Sequence, residues 1–152
     1  MTPQHNKILK YALQFRAAID NALEANEVNS RTFRNFPIGC CDDASDLLAQ
    51  YLLELGIRTN NVCGTFYSDS GEQQSHAWLC LDDNTYLDIT GDQFKFHKEP
   101  LCFSTPVYLG PPTPFHDLFH IERVSPENGI DSFGEPAKSN LKQLYRTICL
   151  YL

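Results

Sequence analysis

The chain has 152 residues, 42% of them hydrophobic and 20% charged, a balance that fits one compact domain and excludes a collagen, a coiled coil or a disordered tail. Against 12 Lys plus Arg stand 19 Asp plus Glu, a net charge of −7, so a phosphate backbone is repelled and nucleic acid is not an expected partner. Met1 to Lys7 lack the charged-then-apolar pattern of a signal peptide, and no apolar run approaches the roughly 18 residues of a membrane span. The expectation is a cytoplasmic protein with no membrane partner, whose 6 cysteines are thiols rather than a disulfide framework.

From Gln4 to Ala25 the apolar residues Ile8, Ala12, Phe15, Ile19, Ala22 and Leu23 recur at helical spacing, with Lys10, Arg16, Asp20 and Glu24 facing elsewhere. A second helix is predicted from Cys41 to Leu55, with Ala44, Leu47, Leu48, Tyr51, Leu52 and Leu55 as its stripe and Gly56 as its C-terminal cap. Three strand-like runs follow, Asn61 to Tyr67, Ser75 to Leu81 and Thr85 to Thr90. The middle run is apolar on both faces and is predicted to be central. Gly91 to Asn128 is Pro-rich and poorly periodic, whereas Leu141, Leu144, Ile148 and Leu152 mark a closing helix. Helices followed by antiparallel strands predict an α+β fold in a single domain.

The chemistry concentrates between Gly39 and Thr90. Gly39-Cys40-Cys41-Asp42-Asp43 sets a cysteine at a helix start, where unpaired N–H groups and the helix dipole favour a thiolate. His76 lies near the start of the middle strand and Asp88 near the end of the next, so nucleophile, base and orienting carboxylate follow in the order Cys, His, Asp. Each alone has an ordinary structural reading: a buried thiol, a core histidine, a turn-forming Asp. Cys40, Cys41, Cys63, Cys80 and His76 are also soft metal ligands, but no C-x-x-C or paired C-x-x-H spacing is present, so neither metal nor cofactor is expected.

Strand geometry adds a condition. Alternation puts His76, Trp78 and Cys80 on one face and Leu79 and Leu81 on the other. A two-residue turn at Asp83-Asn84 would send the Asp88 side chain to the face opposite His76. A three-residue loop, Asp82-Asp83-Asn84 with Asn84 left-handed, sets Leu81 against Thr85 and His76 against Thr90 and brings Asp88 to the His76 face.

Four ordered motifs, Gly39-Cys40-Cys41, Leu55-Gly56-Ile57, His76-Ala77-Trp78 and Asp88-Ile89-Thr90, resemble the bacterial transglutaminase-like family of the papain-like cysteine protease superfamily over the stretch from Gly39 to Thr90. Ile89 stands where that pattern has Pro, and Cys40 adds a thiol beside the nucleophile. The resemblance implies a papain-like core, with the nucleophile at the N-terminus of a central helix packed on an antiparallel sheet. It also implies Cys41 as nucleophile, His76 as general base and Asp88 as orienting acid. The implied activity is acyl transfer through a thioester on a protein or peptide substrate or a small amide: hydrolysis by a peptidase or glutamine deamidase. The alternatives are a transglutaminase or acyltransferase with an amine acceptor, and an inactive binding module of the same fold. Oxyanion donors would include the Cys41 backbone N–H, with Asn35, six residues earlier, as the second candidate.

Overall fold

The computed structural model describes all 152 residues. It begins with α1, Pro3–Glu24, started by Thr2, whose side chain accepts the His5 N–H while the His5 ring accepts the Thr2 N–H. The helix α2, Cys41–Glu54, ends in left-handed Gly56, where Gly56 N–H bonds Leu53 O and Ile57 N–H bonds Leu52 O. That pair of bonds is a Schellman cap, which requires the positive φ that Gly56 supplies at least cost.

The strands β1 (Asn60–Tyr67), β2 (Gln73–Cys80) and β3 (Tyr86–Asp88) follow, then β4 (Tyr108–Gly110), the short helix α3 (Pro114–Asp117), β5 (His120–Pro126) and the C-terminal helix α4 (Ala137–Cys149). The 5-stranded sheet has the order β4-β3-β2-β1-β5, with every neighbouring pair antiparallel. The fold is therefore α+β, with β2 in the centre of the sheet. Two strands, a 3₁₀ turn (Gly91–Phe94) and a short helix lie in the segment where periodicity is silent. Their lengths of 3 and 4 residues for β4 and α3 are too short for a repeat to emerge, and β5 is exposed along nearly its whole length.

Each face of the sheet covers its own core. Leu79, Leu81, Leu87, Ile89 and Leu109 pack under α1, α2 and α4, together with Ile8, Phe15, Ile19, Leu47, Leu48 and Ile148. Val62, Trp78 and Tyr86 face the other way, into an aromatic cluster with Phe94, Leu101, Phe115 and Phe119. The period-2 alternation of β2 thus holds residue by residue. Three helical expectations do not. Leu55, placed on the buried stripe, caps its helix and is 42% exposed; Arg16, assigned to the solvent face of α1, is buried; and Leu152, counted in the closing helix, lies beyond its end and is exposed.

Arg16 is buried because the carbonyls it meets have no other donor. Its Nη1 donates to Ile89 O (2.7 Å), Pro106 O (3.0 Å) and Asp92 Oδ1 (3.0 Å), and its Nη2 to Asp92 Oδ2 (2.9 Å). One guanidinium therefore ties α1 to the chain on either side of Thr90 and to the Pro106 loop. Arg16→Met leaves Asp92 buried without its cation and is expected to cost about 3–5 kcal/mol, read by urea unfolding; a loss below about 1 kcal/mol would reduce this clamp to an ordinary surface pair.

Candidate active site

The three-residue connection between β2 and β3 is present. Leu81 N–H bonds Thr85 O at 2.8 Å, and Asn84 has φ 66°, the left-handed value that closes such a loop. Leu79 consequently pairs with Leu87 and Cys80 with Tyr86, and the same register sets His76 and Asp88 on one face. His76 Nε2 lies 2.8 Å from Asp88 Oδ2, both side chains fully buried.

Asp88 is held from three directions. Its Oδ1 accepts the Thr90 N–H at 3.0 Å, which gives the Asp-x-Thr spacing its local role. Its Oδ2 takes His76 and also His116, whose Nε2 lies 2.8 Å away. An ionised carboxylate only accepts, so both Nε2 atoms carry protons and are donors rather than metal ligands. Thr113 Oγ1 accepts the His116 backbone N–H and lies 2.7 Å from His116 Nδ1, which fixes the ring with Nε2 toward Asp88. His76, Asp88 and His116 are close enough to group around a cation, but their atoms are paired as an ion-centred hydrogen-bond cluster.

His116 and Gln93 are the residues that sequence reading missed. Their signals were faint. Thr113-Pro114-Phe115-His116 repeats the Thr2-Pro3-Gln4-His5 start of α1, where a capping Thr sits three residues before a histidine. Gln93, on the 3₁₀ turn Gly91–Phe94, brings its amide nitrogen to 3.1 Å from His76 Nδ1. Gly91 is required between them, because a Cβ there would lie 2.7 Å from the Phe103 ring and 3.2 Å from Asp88 Oδ2.

Burial alone would lower the His76 pKa, but the charge and hydrogen bond of Asp88, with a further contribution from Cys41, raise it to about 9. Burial would likewise raise Asp88, and the two histidines instead hold it well below the usual carboxylate range. The imidazole is walled by Trp78, Phe94, Phe115 and Phe119, with ring centroids 5.2–5.8 Å away. Its Nδ1 meets the Gln93 amide, and the residue shares a cavity with Cys41.

The two vicinal cysteines part company. Cys40 is buried in the helical core, and burial, with the neighbouring Cys41 and Asp43, pushes its thiol up to about 12. Cys41 is half-buried and lines two adjoining cavities, one of about 460 Å³ with Gln73, Gln74, Ser75 and Gln93, the other of about 310 Å³ with His76, Cys63 and Arg123. Cys40, as N-cap, supplies no side-chain cap, and the first helical bond is Ala44 N–H to Cys40 O at 2.8 Å. The N–H groups of Cys41, Asp42 and Asp43 are therefore left for a ligand. Asn35 is exposed in the loop before α2 and lines neither cavity, so the structure does not bring it to Cys41.

In the smaller cavity Arg123 Nη2 lies 3.1 Å from Cys63 Sγ, while burial, the largest effect, raises the Cys63 pKa. No family model, curated protein or solved structure matches the chain.

Two outcomes follow from this cluster. His116→Phe keeps the ring in its aromatic surroundings but removes one of the donors to a buried carboxylate, and is expected to cost about 1.5–3 kcal/mol in urea unfolding; an unchanged midpoint would show that His116 does not hold Asp88. Because the folded His76 pKa of about 9 exceeds its usual value of 6.5, its stabilising effect is complete below pH about 6.5 and is lost as pH rises through about 9. Stability should fall over that interval in the wild type and less steeply in His76→Gln. Equal slopes in the two proteins would refute the charged pair.

Proposed function

We propose that this protein is a cysteine-dependent acyl-transfer enzyme of transglutaminase-like, papain-like type, acting as a hydrolase on Cys41, His76 and Asp88. The observation that carries the reading is the buried His76–Asp88 pair, with Nε2 2.8 Å from Oδ2, set on the cavity that His76 shares with Cys41. A dry carboxylate behind an imidazole, with a half-exposed thiol before it, is what a base needs to take a proton from sulfur and return it to a leaving group.

The chemistry follows in two steps. The Cys41 sulfur attacks an amide carbonyl, and the oxygen takes up negative charge beside the free N–H groups at the start of α2, with the Cys41 N–H as the first donor. Such a donor contributes about 3 kcal/mol in general. The C–N bond then breaks as His76 Nδ1 hands its proton to the nitrogen, leaving a thioester on Cys41. Water, deprotonated by Nδ1, attacks the thioester; the carboxylic acid leaves and the sulfur departs as thiolate. An amine in place of water would give a transferred amide. Cys40 takes no part, because its thiol is buried and its pKa is high.

The decisive experiment incubates the protein with peptide libraries, with and without a primary amine, and reads products by mass. Cleaved or deamidated peptides independent of amine support the hydrolase, and amine adducts would replace it with a transferase. Cys41→Ala should abolish turnover, His76→Ala should lower it about 10²–10⁴-fold, and Cys40→Ala should retain most of it. Turnover should also decline as pH rises through about 9, where His76 loses the proton it gives to the leaving group. Iodoacetamide labelling of Cys41 that rises only near pH 8.5, where a free thiol ionises, would overturn the activated pair.

A further inference from the structure

The sheet is open beside the nucleophile. The strand β2 runs from Gln73 to Cys80, yet β3 pairs with it only at Leu79↔Leu87 and Cys80↔Tyr86. After Asp88 the chain turns away into the 3₁₀ segment Gly91–Phe94. The Leu81–Thr85 bond shows which residues face this side: antiparallel hydrogen bonding repeats every second residue, so Leu79, Ala77, Ser75 and Gln73 all direct their N–H and C=O toward β3. Ala77 is buried, whereas Ser75 and Gln73 are exposed and have no strand beside them on that edge.

The cavity of about 460 Å³ occupies the place of the missing strand, with the Gln73–Ser75 edge on one wall and Gly39, Cys41 and Gln93 on the others. Unpaired donors and acceptors at strand spacing are matched by another polypeptide main chain and not by a small amide. The outer edge β5 is blunted by Glu122, Arg123 and Pro126, as edges that must not pair usually are. The β2 edge carries no such block.

The charges around the cavity select among peptides. Asp42 and Asp43 line it and no Lys or Arg does, while Arg123 lies in the smaller cavity on the Cys63 side of Cys41. Neither carboxylate is in an ion pair, and Asp43 has its pKa raised by burial and by Asp42. Asp43 and Thr32 also line an adjoining cavity of about 490 Å³ that reaches Asn140 on α4, where Glu27 and Arg31 add one charge of each sign, so the acidic character is confined to the part of the groove beside the thiol.

Resting on the acyl-transfer reading above, we propose that the acyl donor is an extended, basic polypeptide segment that adds as a strand to the free edge of β2 at Gln73–Ser75, delivering a backbone or side-chain carbonyl to Cys41. The main-chain bonds give register, and the carboxylates at the start of α2 select positive side chains.

The test uses chloroacetyl-Val-Lys-Val-Lys-amide, an analogue N-methylated at one main-chain nitrogen, a Glu-for-Lys analogue, and plain chloroacetamide. Each rate of Cys41 alkylation is divided by that reagent's rate with glutathione. The lysine peptide should exceed chloroacetamide about tenfold or more, a gain within reach of one or two net hydrogen bonds. N-methylation on the paired side should remove most of it, found by moving the methyl along the peptide, and Glu should reduce it. Ser75→Pro, which removes one edge donor as edge strands tolerate, should lower the ratio of peptide rate to chloroacetamide rate.

A fast chloroacetamide reaction with no peptide gain, or a gain indifferent to every methyl position, overturns strand docking and leaves the triad standing. If chloroacetamide finds Cys41 no faster than a free thiol, the triad reading fails and docking is judged without chemistry. Acetyl-Val-Lys-Val-Lys-amide should then slow hydrogen exchange at Ser75, and unchanged exchange at millimolar peptide overturns the proposal. A dimer by light scattering that Ser75→Pro dissociates would assign the edge to a second copy and overturn it as well.

Discussion

A charged carboxylate sealed from water organises this molecule. Asp88 is 1% exposed, and a buried charge survives only if enough donors surround it. Three arrive from three parts of the chain: His76 from β2, His116 from α3, and the Thr90 N–H from the turn that Asp88 itself begins. Meeting that demand specifies the hairpin register, the fold-back of the segment after β4, and the orientation of the His76 ring. The aromatic cluster around these polar atoms follows from the same need, since it excludes the water that would otherwise compete for them.

The second consequence is where the sheet stops. Asp88 faces the aromatic layer while Cys41 belongs to a helix on the opposite layer, so thiol and imidazole can meet only where the sheet ends between them. The departure of β3 from β2 after Asp88 opens that gap, and Arg16, reaching across from α1, holds the departing chain by Ile89 O and Asp92. One opening thus sets Cys41 and His76 on the same cavity and exposes an unpaired strand edge beside it. Retaining a buried Arg in a helix whose other inward residues are apolar is understandable on these terms, because the carbonyls it satisfies have no alternative donor.

The adjacent cysteines illustrate how sharply a helix start can discriminate. Cys40 points into the core with Ala44, Leu47 and Leu48, while Cys41, one residue on, is turned by about 100° about the helix axis toward the cleft. The same side chain is therefore buried at one position and partly exposed at the other.

Much of this was legible in the residues. The amphipathic stripes of α1 and α2, the Gly56 cap and the three leading strands rest on local rules of period and capping, which act over a few residues and need no partner, whereas the loop at Asp82-Asp83-Asn84 followed from the condition that Asp88 share the His76 face. That Cys41 and Asp88 lie at element ends was equally visible, whereas His76, expected to open its strand, is the fourth residue of β2, and the register that sets His76 and Asp88 on one face came from requiring the two to meet. His116, Gln93 and the buried role of Arg16 were not, and neither were β4 and β5. Each depends on contacts across long stretches of chain: Arg16 meets Asp92 76 residues away, and His116 meets Asp88 at 28. A short element or a buried polar side chain has no periodic signature, because what stabilises it is a group supplied by another element. Local sequence determined which elements form and which faces they bury; only the tertiary structure decided which polar groups would be dry, and therefore which partners they had to find.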